Sequence, residues 1–524
     1  MSSSTKRGVL LAVIVALVVA LSVGLVLFRP TQTVAGQATP ATTVAPNPTG
    51  PASSSSPPSR SSTEPPSSPG VLPAPGEPDG VTGDETGGDP YYPDAGNGGY
   101  DVAGYSVVLS YTPDTRELEA TATITATVTA DQRLGRFSFD LQPSMQVSAV
   151  EVNGAPAGAE QHDAKLQISP PTGIDPGESM TVEVTYSGEP GLIDAGGDIG
   201  DGGWYSLTTG GSVAIGEPFG ASAWYPVNET PRDRATFAVE ATVPDGWKVI
   251  SNGLPVDASV DPPAGSATFG WAAEEPMTSY LTTIYIDKFE QTEDVVDGVT
   301  IINAYAPGAD SAAQLGDRTG QYLEFLSSVF GPYPFQAGGG IYLADSLGYA
   351  LETQTRPVYS GGMGEDTVVH ELAHQWFGDD VTIESWSDIC MNECFAAYAE
   401  WLWAEHNGTD LDEHYRSVVA SEKDRASWWQ NPLVDMGAGN EFSDVYSRGP
   451  LALHALRHEI GDDKFAELLL SWNEKYGGGN ASFTDFEDLV DQIAGKDESA
   501  FMDAWFRKTG VPADEFLWPG DLTP

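Results

Sequence analysis

The sequence predicts a multidomain chain. An all-β domain, a sandwich or saddle-shaped sheet, is expected at 98–289, and an α-rich α+β domain at 290–513. An N-terminal transmembrane helix (1–29) and a disordered linker (30–97) precede them, and a short tail (514–524) follows. Three observations carry this. Residues 8–28, "GVLLAVIVALVVALSVGLVLF", are 21 residues without a charge, long enough to cross a bilayer as a helix. From about Tyr100 to Lys288 apolar and polar residues alternate with a period of two. From about residue 310 the period becomes helical.

The first element follows the short basic start Lys6 and Arg7, and Arg29 stands on its far side. An uncleaved signal anchor with the basic end inside the cell is expected, leaving the remaining chain extracellular on a single-pass cell-membrane protein. Residues 30–90 then hold 14 of the 39 prolines, with runs such as "PASSSSPPSRSSTEPPSSPG". Such composition cannot form a core, and its roughly 60 residues span at least ~40 Å as a tether. In the β region, "YSVVLSYTP", "ELEATATITATVTA", "FSFDLQ", "SMTVEVTYSG" and "ATFAVEATVPDGWKVISNG" alternate between Gly, Pro and Asp breaks. In the helical region, "GQYLEFLSSVFG", "TVVHELAHQWFG", "CFAAYAEWLWAEH", "GPLALHALRHEIG" and "DKFAELLLSWNEKYG" place apolar residues three and four apart.

Charge narrows the function classes. The formal net charge is -51, from 24 basic and 75 acidic residues. That surface repels phosphate backbones and anionic lipid, which argues against a nucleic-acid partner. Two cysteines, Cys390 and Cys394, exclude a disulfide scaffold.

The chemistry concentrates in His370-Glu371-Leu372-Ala373-His374. On a helix, residues four apart share a face, so both imidazoles can reach one zinc ion. Glu371 is placed as a general base toward a water at that site. A catalytic zinc site needs a third protein ligand and an open position. Glu393, nineteen residues after His374 in a second helical segment, is the candidate. His454 and His458 are also four apart, but have neither an intervening glutamate nor a third ligand nearby in sequence, so they are expected to be a surface or packing pair.

The stretch "VVHELAHQWFGDDVTIESWSDICMNECFAAYAEW" resembles the zinc signature of the aminopeptidase N-like family of gluzincin metallopeptidases, H-E-x-x-H, eighteen residues, then E. "FGPYPF" (330–335), "YALET" (349–353) and "VYSRGPLAL" (445–453) follow the order of the family's other segments. "GEPFGASAWYPVNETPRDRATF" resembles its stretch in the β domain. The resemblance implies a thermolysin-like catalytic domain holding one zinc ion per chain through His370, His374 and Glu393, with Glu371 as the catalytic base. Tyr446 would stabilise the oxyanion. Glu352, with Glu217 from the β domain, would grip the free N-terminus of a peptide substrate.

Departures from the family pattern shape the expectations. Tyr349, Leu351 and Thr353 replace Gly, Met and Asn of the family's G-A-M-E-N. Thr353 keeps a hydroxyl for the substrate backbone, Tyr349 narrows the first side-chain pocket, and Arg448 replaces a lysine. The family's large C-terminal helical domain is expected to be missing, which leaves a more open cleft. A membrane-tethered zinc aminopeptidase is therefore the leading expectation. An endopeptidase or small-substrate hydrolase on the same core, and a non-catalytic zinc-containing surface protein, are the alternatives. Cys390 and Cys394 flank Glu393 as either a strained bridge or two small buried thiols.

Overall fold

The computed structural model describes residues 72, 74, 76–196 and 200–524. The apolar run at 8–28, where the membrane helix is expected, and most of the Pro/Ser-rich stretch lie outside them. Among the described residues no helix is long and apolar enough to cross a membrane.

The period-two segments form three sheets. The largest has eight strands, with Tyr100–Thr112 and Glu117–Val128 at its middle and Ala235–Pro244 parallel to the first of these. In Tyr100–Thr112 and Ala235–Pro244, buried residues alternate with exposed or half-buried ones, because one face of the sheet meets the core and the other faces outward. A four-stranded and a five-stranded sheet cover the inner face. Aromatic rings knit the layers: Tyr100 meets Phe137 and Phe139, Tyr111 meets Trp204, and Phe237 meets Trp224.

A second body opens with a four-stranded mixed sheet built from Glu290–Val296, Val299–Tyr305, Ala337–Tyr342 and Val358–Tyr359. Its longer helices are α1 (Thr319–Phe330), α2 (Glu365–Ala373), α3 (Cys390–His406), α4 (Leu411–Glu422), α5 (Val445–Ile460), α6 (Asp462–Tyr476) and α7 (Phe483–Ala494). Glu365 and Asp366 in the first turn of α2 complement the helix dipole. Ser482 and Asp485 close a capping box at the start of α7.

Two arginines, Arg234 half-buried and Arg356 buried, lock the β domain to this body. Arg234 donates to the carbonyls of Asp380 and Gly479, both at 2.7 Å. Arg356 is wholly buried and donates to the carbonyls of Ile302, Gly338 and Gly253 at 2.5 to 2.7 Å. These contacts fix the segment 349–356 against the β domain.

The structure moves two expected boundaries. The linker was expected to reach residue 97, but Val81–Thr82 pairs with the strand Leu134–Asp140, and the Asp89 carboxylate accepts from the Trp386 amide at 2.9 Å. Polar hydrogen bonding, which has no periodicity, docks this segment. Nor is 514–524 a loose tail: Leu517 and Leu522 are buried, and the Tyr415 hydroxyl donates to the Leu517 carbonyl at 2.7 Å.

Candidate active site

His370 and Glu371 lie in the last turns of α2 and His374 caps it. The chain then reverses through Gly378, whose φ of +126° is strained for any residue with a side chain and where a Cβ would crowd Asn392 and His374. It returns as α3, with Glu393 in the first turn. Phe377 stacks on Phe395 with ring centroids 4.4 Å apart, which sets the two helices against each other.

The ligand-type atoms converge. Glu393 Oε2 lies 3.2 Å from His370 Nε2 and 3.5 Å from His374 Nε2, and the imidazole centroids are 4.9 Å apart. The far ring nitrogens are held as well. His370 Nδ1 meets Glu400 Oε1 at 2.7 Å and His374 Nδ1 meets the Phe377 carbonyl at 3.0 Å. With a proton on each Nδ1, both Nε2 lone pairs face the common point. Glu400 was not found from sequence. Its signal was its place seven residues after Glu393, on the same face of α3.

All seven residues singled out from sequence line one cleft of about 390 Å³: Glu217, Glu352, His370, Glu371, His374, Glu393 and Tyr446. Glu217 is the one the β domain supplies, and it forms part of the cleft wall rather than an exposed turn. Tyr446, in the first turn of α5, is 47% exposed with its ring 5.8 Å from that of His370.

Glu352 is positioned through Gln375, a residue missed in the sequence although it adjoins His374. The Gln375 amide donates to the Glu352 carbonyl at 3.0 Å and accepts from the Thr355 N–H at 2.7 Å. It thereby ties the 349–356 segment to the end of α2. Thr355 itself sits at φ +64°, a left-handed conformation held by these partners.

Four expectations are corrected or refined here. Thr353 does not face the cleft: it is buried, and its hydroxyl donates to the Arg356 carbonyl at 2.6 Å, closing the local turn. Tyr349 does line the cleft, and its hydroxyl meets Tyr205 Oη at 3.1 Å and the Asp201 carbonyl at 3.0 Å, which pins it to the β domain. Arg448 is fully buried, donates to the Asn431 carbonyl and lies 5.4 Å over the Trp429 ring, so it anchors the start of α5. Cys390 and Cys394 are bonded to each other across the first turn of α3, with Cα atoms 4.8 Å apart. Gly449 of α5 packs directly on Cys394.

Electrostatics single out a cation. Five carboxyl groups (Glu217, Glu352, Glu371, Glu393 and Glu400) share this cleft with only two imidazoles. Burial raises the pKa of Glu352 against the pull of His374, and burial with the neighbouring Glu352 raises that of Glu217. Burial opposes ionisation of Glu393 too, but His374 and His370 outweigh it and hold that carboxyl well below its usual range. Glu217 Oε1 and Glu352 Oε1 are buried without a hydrogen-bond partner. Two imidazoles and a carboxylate at these separations form a zinc donor set, so zinc fits the residues present.

The comparisons agree with this geometry. Residues 102–281 match the family model "Peptidase M1 N-terminal domain" and residues 323–505 match "Peptidase family M1 domain". An M1 zinc metallopeptidase from Deinococcus radiodurans is 30% identical, with a TM-score of 0.76 over 84% of this chain and 100% of that one. A mutant of the M1 zinc metallopeptidase from the same organism, solved with a Tyr-Ser-Ala substrate, superposes with a TM-score of 0.75 at 30% identity, over 84% of this chain and 100% of that one. Aminopeptidase N of Haemonchus contortus is 27% identical over 339 residues, 57% of this chain and 35% of that protein, so the chain spans about a third of that relative's length. With both domain models matched in order and the solved relative covered end to end, the chain belongs to peptidase family M1, the family of the zinc metallopeptidases it superposes on.

Proposed function

We propose that the protein is a zinc aminopeptidase that removes single residues from the N-termini of peptides. One observation carries this reading: the carboxylates that would grip an ammonium adjoin the metal ligands. Oxygens of Glu217, Glu352 and Glu393 lie within 4.8 Å of one another, as do ligand-type atoms of Glu352, Glu371 and His374. The α-ammonium of a peptide is only two bonds from the first scissile carbonyl. A site that binds it must therefore lie this close to the reacting centre. The relatives named as aminopeptidases support the same reading.

Each group has a distinct task. His370, His374 and Glu393 would hold zinc, which supplies Lewis acidity toward the scissile carbonyl and the attacking water. Glu400 and the Phe377 carbonyl keep the two imidazoles oriented. Glu352 and Glu217 accept hydrogen bonds from the substrate ammonium, and their unpartnered oxygens are free to do so. Glu371 takes a proton from the attacking water and passes it to the leaving amine. The Tyr446 hydroxyl, on the open side of the cleft, donates to the oxyanion.

The finer part of the proposal is a tether. The uncharged run at 8–28 and the Pro/Ser-rich stretch after it support an extracellular enzyme held at the cell membrane. Fractionation tests this directly: the activity should sediment with membranes and be released by limited proteolysis from outside intact cells.

The decisive experiment compares a free peptide with its N-acetylated form. Hydrolysis of the free peptide alone is expected. Equal cleavage of both would mean an endopeptidase.

A further inference from the structure

A second set of converging ligand atoms lies outside the cleft. His454 and His458 are on the later turns of α5, and Asp412 is in the first turn of α4. Asp412 Oδ1 is 3.2 Å from His454 Nε2 and 3.0 Å from His458 Nε2. The pair is therefore not a bare packing pair, as its sequence neighbourhood suggested. Its third partner comes from a helix more than forty residues earlier.

The far ring nitrogens are occupied here too. His454 Nδ1 meets the Tyr398 hydroxyl at 3.1 Å, and His458 Nδ1 meets Asp521 Oδ1 at 2.7 Å. A carboxylate oxygen only accepts, so without an ion both Nε2 atoms donate to Asp412, and His454 Nδ1 accepts from the Tyr398 hydroxyl. Two guanidinium groups also border the cluster: Arg416 Nη1 lies 3.9 Å from the other Asp412 oxygen, and Arg457 pairs with Glu405 and Asp462.

A metal ion between the three atoms, whose ligand-type oxygen and nitrogens lie within 4.8 Å of one another, would take the place of those two Nε2 protons. Each imidazole then needs a single proton, on Nδ1, directed at Tyr398 or Asp521. The nitrogen–oxygen separations suit this, because bonds of about 2.0–2.1 Å in a tetrahedral site place ligand atoms roughly 3.3 Å apart. The active-site trio is an internal standard. Its separations are 3.2 and 3.5 Å, its rings are 4.9 Å apart and its ring planes meet at 67°. The second pair of rings is also 4.9 Å apart, at 66°.

We propose that His454, His458 and Asp412 form a second metal site for a borderline divalent cation, zinc by its donor set of two imidazoles and one carboxylate. The site is structural. Where the active pair is followed by Glu371, His454 is followed by the buried Ala455, and the other carboxylate in contact with the pair, Asp521, faces the far nitrogen of His458. Through Asp412 and Asp521 the ion joins the start of α4, the end of α5 and the C-terminal segment. This proposal is independent of the peptidase reading.

Zinc content tests it. The full chain is stripped with a chelator, reloaded with Zn2+ alone, dialysed, and its metal per chain measured. About two ions are expected in the wild type. One is expected in Asp412→Asn and in His458→Ala, with hydrolytic activity kept. One is also expected in His374→Ala, with activity lost. A wild type that holds only one ion, or a second ion that survives both Asp412→Asn and His458→Ala, would overturn the site. A second readout uses His374→Ala, where only the new site remains. Zn2+ should raise its melting temperature by about 4 °C, and should not do so once His458→Ala is added.

Discussion

His370/His374 on α2 and His454/His458 on α5 share their spacing, their ring separation and a carboxylate oxygen near both Nε2 atoms. They differ in their surroundings. The first pair faces a cleft of about 390 Å³ lined by four further carboxyl groups and by Tyr446. The second lies half-exposed at Asp412, bordered by Tyr398 of helix α3, by Asp521 of the C-terminal segment and by arginines. Ligand geometry is therefore cheap for a helical protein to build. The reactive groups around it, and the room for a substrate, distinguish a catalytic centre from a clamp.

Removing the base from the first pair should have the largest effect. Glu371→Gln is expected to lower kcat by about 10²–10⁴-fold, the scale of a general base, and to leave zinc content unchanged. Steady-state hydrolysis of an aminoacyl substrate with parallel metal analysis measures both. A variant with near wild-type turnover would break the contrast between the pairs at its root.

The converse substitution sharpens it. Ala455→Glu rewrites the second pair as H-E-x-x-H, yet Ala455 is wholly buried and faces no cleft. No hydrolysis should appear in a protein already carrying Glu371→Gln. The buried carboxylate should also destabilise the fold, by about 3 kcal/mol or more in chemical denaturation. Recovered turnover would show that the motif alone suffices.

Glu352→Gln probes the third difference, the grip on the ammonium. Losing one charge-assisted hydrogen bond of about 1.5–3 kcal/mol should lower kcat/KM roughly 10- to 150-fold on free peptides. The gap between free and N-acetylated peptides should narrow with it. An unchanged preference for the free N-terminus would assign that role to Glu217 alone.

What could be read from the sequence follows from how local each signal is. The alternation in Tyr100–Thr112 and the spacing of His370, His374 and Glu393 are properties of single segments, and both were legible. Glu400 and Gln375 were visible as residues but act through the tertiary pairing of α3 and of the 349–356 segment with α2. Asp412 lies 42 residues from His454, and only the packing of α4 on α5 brings it there. Thr353 misled for the opposite reason. Its hydroxyl fits a substrate contact by type, but the turn it closes consumes it. The segment around Asp89 was read as linker because Gly, Pro and Asp composition resembles disorder, while its docking comes from dispersed tertiary contacts: strand pairing at Val81–Thr82, Asn97 on Asp140, Tyr92 against Trp386 and the Asp89 carboxylate at the Trp386 turn.

The smallest effect at any one pH step isolates burial from coordination. Glu229 is buried in the β domain, where it accepts from the Ser222 amide at 2.7 Å and the Ser279 hydroxyl at 2.6 Å. Burial raises its pKa to about 8, opposed by the Ser279 hydrogen bond. Glu393 is buried as deeply but is held ionised by its histidines, so its carboxyl moves the other way. For Glu229 the folded state binds the proton more tightly than the unfolded chain. Its contribution is complete below the unfolded value near 4.5 and is lost as pH rises toward 8. Within that window the loss is at most on the order of 1 kcal/mol per pH unit. Glu229→Gln keeps an acceptor and cannot ionise. Its melting temperature should therefore fall less than that of the wild type between pH 5 and 8. Parallel curves would show that Glu229 is ionised in the fold and that burial without a cation does not neutralise a carboxyl here.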